Sequence, residues 1–65
     1  MGYFNEALES AKDLDTLDRY YDCMEARDFD EAADALVGLA GLESRPYHAA
    51  ALRKAANNLR HHMRY

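Results

Sequence analysis

The chain reads as all-α, a small antiparallel bundle of three to four helices organised around a central helix hairpin. Only Thr16 and Val37 are β-branched and isoleucine is absent, while alanine occurs twelve times and leucine eight. Strands favour β-branched side chains, whereas Ala and Leu lose little freedom on entering a helix. One proline, Pro46, and three glycines leave long stretches without a helix breaker. A chain of 65 residues makes one domain at most, and at that size only about 60% of the unfolded surface is buried. Large apolar side chains are few, so alanine packing and backbone hydrogen bonds must carry much of the folded state.

The first helix is expected from Gly2 to Lys12, with Phe4, Ala7, Leu8 and Ala11 on one side at helical spacing. Asp13-Leu14-Asp15-Thr16 supplies cap-type residues and marks a break or kink. A continuous helix through residue 26 also fits, because Ala7, Leu14, Leu17, Tyr21 and Met24 form a heptad-like series. The second helix is expected over 15–27, with Leu14, Leu17, Tyr21 and Met24 facing the core. Asp15, Asp18, Asp22 and Glu25 follow the same alternation one position later, which sets four carboxylates in a row on an adjacent face. Like charges so spaced oppose helix formation by a few tenths of a kcal/mol each. Arg19, another helix or a partner must compensate.

Asp28-Phe29-Asp30-Glu31 is the sharpest local signal. Asp28 is placed to cap the third helix and Glu31 to reach back and complete a capping box. Phe29, Ala32, Ala33, Leu36 and Ala40 form its apolar stripe. Gly38 weakens this helix by about 1 kcal/mol relative to Ala, and Gly41 is a natural stop in the left-handed conformation. The short turn after the second helix predicts an antiparallel hairpin. Ser44 is the expected cap of a last helix over 46–63, where Pro46 fits the first turn. Leu52, Ala55, Ala56, Leu59 and Met63 make its inner side, while Arg53, Asn57, Arg60 and Arg64 form a mostly basic row beside Lys54 and His61.

Met24 to Pro46, with Ala26-Arg27-Asp28-Phe29-Asp30-Glu31-Ala32 and Ala40, resembles the turn and second helix of a tetratricopeptide repeat over about a third of the chain. Tyr20 stands where that family has a small residue, and Pro46 falls about two residues late. A solenoid needs roughly three stacked repeats, and no second copy is present. The resemblance therefore implies a helix hairpin and not membership of the family.

Charge is sorted along the chain. Residues 1–43 hold all twelve Asp and Glu against Lys12, Arg19 and Arg27, whereas residues 44–65 hold Arg45, Arg53, Lys54, Arg60 and Arg64 and no acidic side chain. The formal net charge of −4 thus covers an acidic body, 1–43, and a basic C-terminal helix, 46–63, within a single domain 1–65. Overall acidity disfavours nonspecific nucleic-acid binding by the whole molecule. The single cysteine, Cys23, excludes an internal disulfide and a four-ligand Cys-based zinc site. With no leader pattern and no apolar run of about 18 residues, a cytoplasmic protein without a membrane span is expected.

No catalytic, metal or cofactor site is expected. The chain has no Gly-rich phosphate loop and no Gly-x-Ser-x-Gly turn. Cys23 reads as a packing residue rather than the partner of His48, His61 or His62. Adjacent His61 and His62 point about 100° apart on a helix and cannot chelate one ion together. Two readings remain for the charges. Arg53, Lys54, Arg60 and Arg64, with Asn57, Asn58, Tyr47 and Tyr65, make a mixture suited to a groove-reading helix and a nucleic-acid-binding regulator. The acidic row repeats negative charge about every 5.4 Å, which imitates a nucleic acid toward a basic groove, as small phage-encoded inhibitors of host defence do. The leading expectation is a noncatalytic protein–protein interaction module that occupies a basic surface of a larger protein. Asp15, Asp18, Asp22, Glu25, Tyr20, Arg53, Arg60 and Arg64 are its candidate partner-binding residues. The same charges predict a homodimer with two chains antiparallel, basic tail on acidic body. The competing expectation is a row that is merely solvated, or covered by the basic helix of its own subunit.

Overall fold

A computed structural model describes residues 2–62, apart from the His62 side chain, and those residues form a four-helix bundle with no strand. The helices are α1 (Tyr3–Glu9), α2 (Leu14–Glu25), α3 (Phe29–Leu42) and α4 (Pro46–His62). The expected inner residue Met63 lies outside the described residues. Helix α3 is the hub, packing against α2 on one flank and α4 on another, while α1 packs on α4. The core draws on every helix: Ala7 and Leu8 from α1, Tyr20 from α2, Ala32, Ala33, Leu36 and Leu39 from α3, and Leu52 and Ala56 from α4. Leu36 and Leu52 are the largest side chains fully buried. Alanines at the crossings let the helices approach closely.

The junction between α1 and α2 is a true break, so residues 2–27 form two helices. Helix α1 ends three residues earlier than expected, where the Ser10 N–H and hydroxyl both donate to the Glu6 carbonyl at 3.0 and 2.8 Å. Asp13 then caps α2, accepting from the Thr16 N–H at 3.2 Å and the Thr16 hydroxyl at 2.6 Å. Those two bonds, the hydroxyl first, hold the Asp13 carboxyl below its ordinary value. The cap sets the rotation of α2, and that rotation differs from the expected one. Tyr20 is only 7% exposed, with its ring edge-on to Phe4 at a centroid distance of 6.4 Å, whereas Leu14 and Tyr21 are 63% and 51% exposed. The buried stripe runs through Leu17, Tyr20 and Met24. Tyr20, expected at a partner contact, is therefore a core residue with little surface left for one.

Helix α2 closes on a left-handed residue that is not glycine. Arg27 has φ 61°, its N–H donates to the Met24 carbonyl at 3.2 Å, and the next N–H, of Asp28, donates to the Cys23 carbonyl at 2.8 Å. This paired pattern is a Schellman closure. It removes the Asp28 N–H from the expected capping box, so Asp28 Oδ1 accepts from the Glu31 N–H at 3.5 Å but Glu31 does not reach back. The Glu31 carboxylate instead takes a bond from Arg19 of α2 at 2.5 Å. The antiparallel α2–α3 hairpin follows from this tight turn.

Gly41 is not the stop. No glycine has a positive φ, and α3 continues to Leu42 before Glu43 turns extended. Glu43 then clasps Arg45, accepting from its backbone N–H at 3.2 Å and from its guanidinium at 3.0 and 3.1 Å. Arg45 also donates to the Ser10 hydroxyl, tying the α3–α4 turn to the end of α1. The Arg45 carbonyl accepts the first bond of α4, from Ala49 N–H at 2.9 Å. Arg45, rather than the expected Ser44, thus occupies the cap position.

Two exchanges test this backbone description. Arg27→Gly should stabilise the fold by about 0.5–1 kcal/mol, because only glycine is unstrained at that φ. Gly41→Ala should also stabilise, by about 1 kcal/mol, since its site is helical and an added Cβ meets nothing within 4 Å. Urea denaturation reads both, and a destabilised Gly41→Ala would place that residue outside the helix.

Acid gives an independent check on the turn. The Arg45 contacts, its side chain foremost, lower the Glu43 carboxyl from 4.5 to about 2. The unfolded chain therefore binds the extra proton first, so the clasp contributes fully above pH 4.5 and is lost as pH falls through about 2. Urea midpoints across that window should fall less steeply for Glu43→Gln than for the wild type.

Candidate docking surface

Four side chains of α2 stand in a row on its solvent side. Asp15, Asp18, Asp22 and Glu25 are all exposed, and none has a hydrogen-bond or ion-pair partner among the described residues. Successive members fall one turn apart along about 15 Å of helix. Leu14 and Tyr21, seven residues apart, are exposed on the same side. The surface is thus acidic with two apolar anchors set into it. Helix α2 has an acidic residue in its first turn and no basic residue in its last. Asp22 and Glu25 therefore meet both their like-charged neighbours and the negative end of the helix dipole.

Cations that had the opportunity to neutralise this row turn elsewhere. Arg19, on α2 itself, pairs with Glu31 of α3, and that bond raises its pKa above the ordinary guanidinium value. Arg60 of α4 pairs with Asp34 of α3 at 2.5 Å. Arg45 is held in its clasp with Glu43. Helix α4 packs on α3 and α1, so its basic side does not cover the acidic row of α2. Arg53 and Lys54 are exposed without a partner among the described residues. Arg64 lies outside the described residues, as does Tyr65. Of the expected partner-binding residues, the structure gathers the four carboxylates on one face, leaves Arg53 on a different helix, commits Arg60 within the subunit and buries Tyr20.

A second cluster joins α1 to α4. His48 is 8% exposed, and its Nε2 lies 2.9 Å from Glu6 Oε1. Its Nδ1 is buried without a hydrogen-bond partner among the described residues. The Tyr3 ring lies 5.0 Å from the imidazole and stacks on Tyr47 at 5.6 Å, with both tyrosines open to solvent. Residue type concealed this buried histidine, but spacing could have found it: His48 shares a helix face with Leu52, Ala56 and Leu59. Cys23 is partly buried and packs against the core. Among the described residues, no group of three His, Cys, Asp or Glu is placed to hold a metal ion. A recess of about 30 Å³ between Ala7, Ser10, Leu39, Leu42 and Leu52 has room for a water molecule but not an organic substrate. No helix among the described residues is long and apolar enough to cross a membrane.

Comparison with protein-family models, with curated proteins and with solved structures finds no match.

An uncompensated row must tax the fold that carries it. Neutralising its C-terminal half with Asp22→Asn and Glu25→Gln should raise stability by about 0.5–1 kcal/mol in low salt, by removing repulsion and the dipole mismatch. Paired urea titrations at low and 0.5 M salt should show the gain shrinking as screening tightens to a few ångströms. A loss of stability on neutralisation would mean that these carboxylates have partners within the subunit.

Proposed function

We propose that the protein is a noncatalytic interaction module that lays the outer face of α2 on a basic surface of a larger protein and blocks that surface. One observation carries the reading: four exposed carboxylates have no partner among the described residues while Arg19, Arg45 and Arg60 are committed to Glu31, Glu43 and Asp34. Exposed ion pairs supply only about 0.2–1 kcal/mol each. The row therefore contributes chiefly encounter rate and orientation. Leu14 and Tyr21 supply the apolar contact that holds the complex, tyrosine being favoured at interface centres. A nucleic-acid-binding protein is a fitting target, because its groove already accepts negative charge repeated at every turn. A cytoplasmic setting suits the free thiol of Cys23. The competing reading, a regulator that grips nucleic acid through α4, is weakened because Arg60 is neutralised by Asp34 and only Arg53 and Lys54 stand free among the described residues of that helix.

The test compares wild type with a folded Asp18→Lys/Asp22→Lys variant as bait in extracts of the source cell, then measures a captured protein in purified form by calorimetry. Binding should weaken at least about tenfold, equivalent to about 1.4 kcal/mol, and wild-type affinity should fall with salt. Equal affinity for the two baits would remove α2 from the interface. A gel shift with random duplex DNA in low salt should show no complex; a shift abolished by Arg53→Glu/Lys54→Glu would favour the α4 reading instead.

A further inference from the structure

We infer that the outer face of α2 has a second occupant, another copy of this chain, whose own α4 covers it in a reciprocal dimer. The inference rests on the same reading of α2 as a docking face but asks a separate question of it. Among the described residues the acidic face of α2 and the free cations of α4 make no ion pair, and the main helix contacts are α3 with α4, α2 with α3 and α1 with α4. Each subunit therefore carries both halves of a complementary contact, and neither half is paired among the described residues. Asp18 and Asp22 sit near the middle of α2, and Arg53 and Lys54 near the middle of α4. Two such helices laid side by side, centre on centre, bring these four side chains together.

Because α2 and α4 run the same way within a subunit, a two-fold axis sets each α2 parallel to the second copy's α4. A two-fold axis repeats the contact, with α2 of each chain on α4 of the other, and the assembly closes as a dimer. The net charge of −4 per chain opposes approach at long range. That repulsion is screened beyond about 8–10 Å in ordinary salt, whereas the apposed pairs act in contact. Self-association would mask the docking face until a stronger partner displaces the second copy.

Sedimentation velocity on four samples decides the matter: wild type, Asp18→Lys/Asp22→Lys, Arg53→Glu/Lys54→Glu, and an equimolar mixture of the two variants, with helical content checked by circular dichroism. Wild type should dimerise in low salt and weaken about tenfold or more in 0.5 M salt, since exposed pairs are screened. Each variant alone faces like charges and should be monomeric. The mixture should dimerise, because both contacts in a mixed pair again join opposite signs. A wild type that stays monomeric at millimolar concentration in low salt, variants that still dimerise alone, or a mixture that fails to pair would each overturn the inference. A monomeric wild type that still loses its cellular partner through Asp18→Lys/Asp22→Lys would leave the proposed function standing without it.

Discussion

Everything in this molecule depends on how α3 is buried. Ala32, Ala33, Ala35, Leu36, Leu39 and Ala40 are all covered, and α2 and α4 both pack on this one helix. Small side chains at those crossings keep the axes close but bring little apolar area. Among the described residues, only Leu36 and Leu52 are large and fully enclosed. Apart from His48, the buried residues of this core are apolar, and most of the described polar side chains sit on the outside. The functional question therefore becomes one of surfaces: which charges the fold uses to hold itself together, and which it leaves over.

The division is uneven. Ion pairs join α2 to α3 through Arg19 and Glu31 and α3 to α4 through Asp34 and Arg60, and a polar contact joins α1 to α4 through Glu6 and His48. Each reinforces a packed pair of helices, and each uses a residue at the edge of a buried stripe. The outer row of α2 has no ion-pair partner among the described residues. Its position follows from a single local event, the Asp13 cap, which sets the phase at which α2 begins. That phase turns Tyr20 inward against Phe4 and carries Leu14, Asp18, Tyr21 and Glu25 outward together.

Much of this fold was legible in the sequence because it rests on local chemistry. The Ala and Leu content, the cap residues Asp13 and Asp28, and Pro46 in a first turn all act within a few residues of themselves, and all four helices appear where they point. The misreadings share a different origin. Leu14 and Tyr21 look like core residues by spacing and size, yet the stripe that α3 covers runs through Tyr20, a choice made by tertiary contact. The expected capping box at Asp28 was lost because the Schellman closure of α2 needed the same N–H. Arg27 adopts the left-handed backbone that composition assigned to Gly41, since the tight hairpin demands that geometry at its own position whatever residue stands there. The acidic row was visible as a pattern. Its lack of partners was not, because sequence spacing along one helix cannot say which way the arginines of another will turn.

Leaving four like charges unpaired opposes folding in a chain with little stability to spare, and that penalty links the fold to its occupancy. Any cationic surface that covers α2 relieves the repulsion and buries Leu14 and Tyr21 in the same step, so the bound form is favoured by more than the contacts alone. Stability rises with the concentration of whatever binds the folded state and not the unfolded one. For a foreign basic protein that concentration is set by the cell. For a second copy it is set by the protein's own abundance. The two occupants therefore compete for one face under different controls, and the surface left exposed on a single subunit need not be the surface most often free.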